Sequence, residues 1–109
     1  MSKGMPNMGG MGGNMANIMR QAQKMQKEVQ ATTEELNKKE YTGSSVDDFV
    51  TVKVTGEKKI ADLTISEKII DPDDPDTLQD MLIDALNNAF EEVDKDKQSK
   101  LGKYTNGLM

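Results

Sequence analysis

Residues 14–39 read NMANIMRQAQKMQKEVQATTEELNKK, and the apolar residues in this stretch recur mostly at steps of three and four. This spacing places them along one side of an α-helix, as in the a and d positions of a coiled coil. The apolar seam that they form, interrupted at Thr32, consists of Met15, Ile18, Ala22, Met25, Val29 and Leu36. We therefore predict a long N-terminal helix that needs a packing partner, and a second copy of the chain is the partner we expect.

A line of positive charge follows a separate face of the same predicted helix. Arg20, Lys24 and Lys27 follow one another at steps of four and three residues, so their side chains share one face. The ordinary role of such a face, which we call the basic stripe, is to keep a helix solvated. Three aligned cations can also bind a polyanion, which makes the stripe a candidate functional surface.

The composition fits one small domain of limited core volume. The chain has 109 residues, of which 35% are hydrophobic, and small chains bury a smaller fraction of their surface than large ones. Small chains commonly bury additional apolar surface by associating with a partner. No stretch approaches the ~20 apolar residues that span a bilayer, and the N-terminus lacks the apolar core of a secretory signal. The absence of cysteine excludes disulfides and fits a reducing cytoplasm.

The net charge of −5 is distributed unevenly along the chain. Residues 1–39 carry six Lys/Arg and three Asp/Glu, for +3, and residues 95–109 carry four and one, also for +3. The middle, residues 40–94, carries four and fifteen, for −11. Because the Debye length at physiological salt is about 8 Å, a local basic surface can attract an anion despite the negative total.

Three strands are expected in the middle of the chain. Residues 49–55 and 60–66 alternate apolar and polar side chains with a period of two, and residues 56–59 connect them as a hairpin. Residues 41–45 form a weaker strand, broken by Gly43 and suited to an edge. With a turn at residues 46–48, this pattern predicts an antiparallel meander whose apolar face is covered by helices.

A second long helix should follow the aspartate-rich segment DPDDPD at residues 71–76. Asp74 can cap this helix and Pro75 suits its first position. The aspartates do not fit a calcium loop, because Pro75 stands at the fifth position and no glycine stands at the sixth. The apolar face of this second helix is predicted to contain Leu78, Met81, Leu82, Ala85, Leu86, Ala89, Phe90 and Val93.

Beyond Val93 the apolar periodicity fades and lysines appear. Lys95, Lys97 and Lys100 form a second candidate basic surface, although lysines near a helix C-terminus also stabilise the helix dipole. Gly102 is expected to end the helix. The predicted folded domain covers residues 14–103, and residues 104–109 are predicted to be a mobile tail.

The first thirteen residues, MSKGMPNMGGMGG, are rich in glycine and are expected to be a disordered tail. Met8, Met11 and Met15 could ligate a soft metal only with support from cysteine or histidine, which the chain lacks. We therefore expect no metal site and no cofactor.

The sequence also gives no indication of an enzyme. Without histidine and cysteine, a Ser-His-Asp or Cys-His arrangement is impossible. No phosphate-binding loop or dinucleotide fingerprint is present, and no carboxylate pair stands apart from the rest. We therefore expect neither catalysis nor a small-molecule substrate.

An ordered series of segments resembles the YbaB/EbfC family of nucleoid-associated proteins. The segments are MRQAQKMQ at 19–26, YTG at 41–43, FVTVKVTG at 49–56, and the stretches 65–71 and 73–88, within a similarity over about residues 14–105. The chain departs from the family at Val46-Asp47-Asp48, where the family has a glycine-rich turn. This departure adds two negative charges to the turn.

The resemblance implies an α+β protomer with a long N-terminal helix, a three-stranded antiparallel sheet and a long C-terminal helix. It further implies an intertwined or tweezer-like homodimer in the cytoplasm that binds double-stranded DNA with little sequence preference, changes DNA conformation and compacts the nucleoid. Arg20, Lys24 and Lys27 are then the first candidates for DNA contact, followed by Lys95, Lys97 and Lys100. The alternative is a protein–protein adaptor with incidental DNA contact, which the net charge of −5 favours.

Overall fold

The computed structural model describes the backbone of residues 4–107 and the side chains of residues 14–104. Two long helices, α1 (Gly4–Lys38) and α2 (Pro75–Gly107), flank strands β1 (Glu40–Ser44), β2 (Val50–Thr55) and β3 (Ile60–Ile65). The chain divides into two compact units, one ending at Ala31 and the other beginning at Thr32. The predicted α+β class is therefore confirmed.

The sheet is an antiparallel meander in the order β1-β2-β3. Each strand lies within one residue of its predicted bounds. The turn between β1 and β2 occupies Val46–Asp48, and both Asp47 and Asp48 adopt a φ of 55°. This left-handed conformation suits glycine best, but aspartate enters it more readily than most residues do. The chain thus makes this turn without glycine.

The core lies between α2 and the sheet. Val50, Val52 and Val54 of β2 are fully buried, and they pack with Tyr41 of β1. The α2 residues at the centre of this contact are Ala85, Ala89 and Val93, which are also fully buried. Their spacing of four residues brings a ridge of small side chains against the valines. The predicted apolar face of α2 is confirmed.

Two glycines allow close approaches of the backbone. A Cβ atom on Gly43 of β1 would lie 2.5 Å from the carbonyl oxygen of Ala85, and it would also meet the backbone nitrogen of Ala89. A Cβ atom on Gly56 would meet the backbone of Leu36 near the end of α1. Because backbone atoms cannot turn aside as a side chain does, both positions require glycine.

The apolar face of the sheet is only partly covered. Leu63 of β3 pairs with Val52, and Ile60 pairs with Val54 beyond a register shift that leaves Ala61 as an extra residue. Cross-strand partners point to the same face of a sheet. The valines are fully buried, whereas Leu63 is 42% exposed and Ile60 is 55% exposed. Helix α2 therefore covers β1 and β2, whereas Ile60 and Leu63 of β3 stay largely uncovered and Ile65 packs at the border of the core.

The helix ends differ from the sequence predictions. Helix α1 begins at Gly4, so residues 4–13 continue a helix where we expected a disordered tail, and residues 1–3 lie outside the described part. Extending an existing helix costs less than nucleating one. The predicted stop at Gly102 is wrong, because α2 continues to Gly107 and Gly102 has no positive φ. Of the predicted mobile tail, residues 104–107 lie in α2, and residues 108–109 lie outside the described part.

The aspartate-rich segment starts α2 as predicted. Pro75 is the first helical residue, and the Asp74 carboxylate accepts hydrogen bonds from the backbone N–H of Thr77 at 3.4 Å and from its hydroxyl at 2.6 Å. These bonds satisfy one of the free donors at a helix N-terminus. The capping role of Asp74 is therefore confirmed.

Candidate nucleic-acid interface

The basic stripe of α1 is exposed to solvent. Arg20, Lys24 and Lys27 are all exposed, and none of them forms an ion pair with any of the side chains at residues 14–104. Helical geometry spreads the three side chains over about 60° of the circumference and ~10 Å of the axis. The stripe is thus a narrow row of cations on one side of a helix.

The sequence on the N-terminal side of the stripe contains no carboxylate side chains. No aspartate or glutamate precedes Glu28, so the first 27 residues contain only neutral and basic side chains. The N-terminal end of the apolar seam belongs to the same part of α1 and is exposed, with Met15 59% exposed and Ile18 62% exposed, whereas Leu36 at its C-terminal end is buried. This part of the helix therefore presents cations and unpacked apolar side chains together.

The second predicted surface is partly neutralised by the protein's own carboxylates. The Lys95 ammonium lies 3.5 Å from a carboxylate oxygen of Glu91 and 4.0 Å from one of Glu92. The Lys100 ammonium lies 3.2 Å from a carboxylate oxygen of Asp96. Of the three, only Lys97 has no ion pair among residues 14–104. The exposed pairs of Lys95 contribute only about 0.3–0.5 kcal/mol each, so a phosphate can compete for that lysine. The Lys100 pair is held more firmly, because the Asp96 side chain is only 19% exposed.

An ionic network beside these lysines was not expected from the sequence. The Asp96 carboxylate accepts hydrogen bonds from the Lys39 ammonium at 2.8 Å and from the Tyr41 hydroxyl at 2.7 Å. Lys100 completes the network from the next turn of α2. No local pattern marks this site, because Asp96 is 57 and 55 positions from Lys39 and Tyr41.

The network shifts the pKa values of its two central groups in opposite directions. The hydrogen bonds from Lys39 and then Tyr41 hold the pKa of Asp96 well below its usual value of 3.8. Burial, followed by the hydrogen bond to Asp96, raises the pKa of Tyr41 from 10.0 to about 12. The folded state therefore favours a charged Asp96 beside a neutral Tyr41.

These shifts predict a pH dependence of stability. The contribution of Asp96 is present above pH 3.8 and is lost as the pH falls below that value, because the unfolded chain then binds the proton more tightly. The contribution of Tyr41 is present below pH 10.0 and is lost as the pH rises towards 12. We expect Asp96→Asn to lower the free energy of unfolding by about 1–3 kcal/mol at neutral pH, measured by urea denaturation, with a smaller loss below about pH 3.

The matched control for this experiment is Asp94→Asn. Asp94 pairs with Lys58 at 2.9 Å, but its side chain is 63% exposed, so its removal should cost less than about 0.5 kcal/mol at any pH. A loss in Asp96→Asn that is equal at acidic and neutral pH would contradict the assigned network.

The described part of the chain contains no cluster of three or more potential metal-binding side chains of the His, Cys, Asp or Glu type. No helix in the same part is long and apolar enough to cross a membrane.

A solved structure has the same fold as this chain. The crystal structure of an uncharacterized protein from Helicobacter pylori matches with a TM-score of 0.59, covering 72% of this chain and 90% of that one. The two sequences are 24% identical, so the likeness concerns the fold.

Sequence comparisons extend over nearly the whole chain. A "nucleoid-associated protein" of Lactobacillus johnsonii is 48% identical over 105 residues, which cover 95% of this chain and 96% of the relative. A protein of the same description from Lactococcus lactis subsp. cremoris is 45% identical over 95 residues, covering 87% and 96%. The model of the YbaB/EbfC DNA-binding family matches residues 11–108. This chain therefore belongs to the YbaB/EbfC DNA-binding family.

Proposed function

We propose that this protein is a nucleoid-associated protein that binds double-stranded DNA through backbone phosphates with little sequence specificity. By doing so it alters DNA conformation and affects nucleoid organisation and gene expression. The observation that carries the proposal is the exposed basic stripe Arg20-Lys24-Lys27, which has no ion pair with side chains 14–104, in a member of a DNA-binding family. Lys95, Lys97 and Lys100 provide a secondary contact, which is weaker because two of them already pair with carboxylates.

Phosphate contact explains the expected lack of sequence preference. Cations that neutralise phosphates release counterions from the DNA, and this contribution does not depend on base sequence. Aromatic side chains that could stack on bases are scarce, since Tyr41 is buried and both Phe49 and Phe90 pack against the core. Binding through phosphates is therefore favoured over base stacking, which a single-strand binder would use.

The proposal includes a homodimer formed through the uncovered apolar face of β3. Exposed Ile60 and Leu63 lie next to the fully buried valines of β2 on the same face, and such an apolar patch commonly marks an interface. A second copy brings the same apolar patch about a two-fold axis, so each copy covers the other. Two copies also double the number of basic stripes, which strengthens DNA binding when both engage one duplex.

The DNA-binding proposal is tested by removing the stripe. We expect Arg20→Ala/Lys24→Ala/Lys27→Ala to weaken binding to duplex DNA, because phosphate contacts and counterion release are lost. With three contacts removed, the slope of log K against log salt concentration should fall in magnitude by about 2.7 per protomer that binds. The measurement is fluorescence anisotropy with unrelated duplex sequences at several salt concentrations.

The control variant removes three positive charges from another part of the chain, so its net charge changes by the same amount. Lys53, Lys59 and Lys68 are exposed and lie on β2, in the β2–β3 connection and in the segment after β3, outside both candidate surfaces. Their joint replacement by alanine should leave most of the affinity and the salt slope unchanged. Equal losses in the two triple variants would contradict a localised contact. No DNA binding by the folded wild type at low salt would favour the adaptor function instead.

A further inference from the structure

Strand β1 forms one edge of the sheet, and half of its backbone groups face away from β2. Ser45 N–H donates to the Val50 carbonyl at 2.9 Å, and Gly56 N–H donates to the Lys39 carbonyl at 3.0 Å. Because the facing groups alternate along an antiparallel strand, residues 39, 41, 43 and 45 face β2. The N–H and C=O groups of residues 40, 42 and 44 therefore point outward.

The outward row is largely unpaired. The Asn88 side chain donates to the Ser44 carbonyl at 2.8 Å and so occupies one position of the row. Among the residues that the structure describes, no hydrogen bond reaches the outward N–H or C=O of Thr42. An open row of this kind accepts an additional strand from another chain.

The space beside the edge is open rather than covered by protein. A groove of about 550 Å³ follows the β1 edge, with side chains of α2 forming its other wall. These side chains include Asn88, Glu91, Glu92 and Lys95. The close approach at Gly43 positions this wall, because it brings α2 directly onto β1. The groove is thus bounded by a hydrogen-bonding edge on one side and charged side chains on the other.

The negative charge of the groove favours a basic peptide over a second copy of this chain as the binding partner. Three carboxylates, those of Glu40, Glu91 and Glu92, line it with one ammonium, that of Lys95. A second copy paired edge to edge would bring the same carboxylates towards one another, which is unfavourable. An extended segment rich in lysine or arginine would instead complement the excess negative charge.

We propose that the open β1 edge and its acidic groove bind an extended, Lys- or Arg-rich peptide segment of another protein as a fourth strand of the sheet. Backbone hydrogen bonds with Glu40 and Thr42 hold the peptide main chain. Alternate peptide side chains point towards α2, where Glu91 and Glu92 select cationic residues. This surface contains none of the residues of the basic stripe, shares only Lys95 with the secondary DNA contact, and serves a protein partner.

The proposal is tested with a fluorescent peptide of about seven residues, a typical strand length, that alternates lysine with threonine. We expect saturable binding by the wild type and protection of the Thr42 amide from hydrogen exchange. Thr42→Pro removes the outward N–H, which a strand edge tolerates, and should weaken binding at least tenfold. Thr42→Val keeps that N–H and should bind like the wild type.

Two further measurements test the contribution of charge. Glu40→Gln/Glu92→Gln should weaken binding and reduce its salt dependence, and a peptide with glutamate in place of lysine should not bind. Equal binding by Thr42→Pro and Thr42→Val, or by the acidic peptide, would overturn the proposal, as would a β1 edge that pairs with a second copy. If Thr42→Pro fails to fold, as judged by circular dichroism, the deciding measurement is hydrogen exchange at the Thr42 amide of the wild type. The proposal requires the lysine peptide to protect that amide, and no protection would overturn it.

Discussion

Replacing Gly43 by alanine is expected to lower the free energy of unfolding by more than about 3 kcal/mol, above the usual range for point substitutions. The added methyl group would lie 2.5 Å from the Ala85 carbonyl oxygen and would also meet the backbone nitrogen of Ala89. This steric overlap is relieved only if α2 moves away from β1. Such a movement would break the contacts that fully buried Ala85 and Ala89 make with the core. Small domains have only about 5–15 kcal/mol of stability in total.

The matched control is the same substitution at Gly102. A Cβ atom there meets no heavy atom within 4 Å, and the residue lies inside α2. Alanine is favoured over glycine in a helix by up to about 1 kcal/mol, so Gly102→Ala should be neutral or stabilising. Thermal unfolding checks both variants, with a fall of more than about 12 °C expected for Gly43→Ala. A melting temperature close to that of the wild type would show that α2 and β1 do not approach as closely as described.

Replacing Leu63 by lysine is expected to raise the dissociation constant of the proposed homodimer at least about 100-fold. Burying an uncompensated ammonium in an apolar interface is costly, and a loss of about 3 kcal/mol corresponds to that factor. The isolated protomer should change little in stability, because Leu63 is already 42% exposed in it. Sedimentation equilibrium over a range of protein concentrations measures the change.

Thr64→Lys is the control for this variant. Thr64 is the next residue of β3, is exposed, and points to the opposite face of the sheet. The same added charge should therefore leave the dimer intact. A wild type that remains monomeric at high concentration, or an unchanged dimer in Leu63→Lys, would contradict the proposed interface. If the dimer assists DNA binding, Leu63→Lys should also weaken DNA affinity through the loss of bivalent contact.

The sequence predicted the parts of the fold that depend on local periodicity. The alternation of Val50, Val52 and Val54 with polar residues identified β2 and its buried face, since strand side chains alternate with a period of two. Asp74 and Pro75 marked the first turn of α2 because helix capping is a local interaction. The C-terminal end of α2 was misplaced because a glycine can occupy a helix interior at a small cost that the surrounding turns offset.

The candidate interface was also predicted in part. The spacing of Arg20, Lys24 and Lys27 predicted a shared face, and the structure exposes all three side chains. Their role in DNA contact stays a prediction. Lys95 and Lys100 were grouped as a basic surface, but the sequence did not indicate that Asp96 holds Lys100 within a network that also binds Lys39 and Tyr41.

The amino-acid order by itself determined the number and order of the helices and strands, the cap of α2 and the family, because each of these depends on residues a few positions apart or on a series of such segments. Only the tertiary structure decided why Gly43 must be glycine, which carboxylate joins Lys39 to Tyr41, and which part of the sheet remains uncovered. Those features arise between residues more than 40 positions apart, or from a face that α2 leaves open. They follow from how the folded elements pack in space, and no local pattern of side chains specifies that packing.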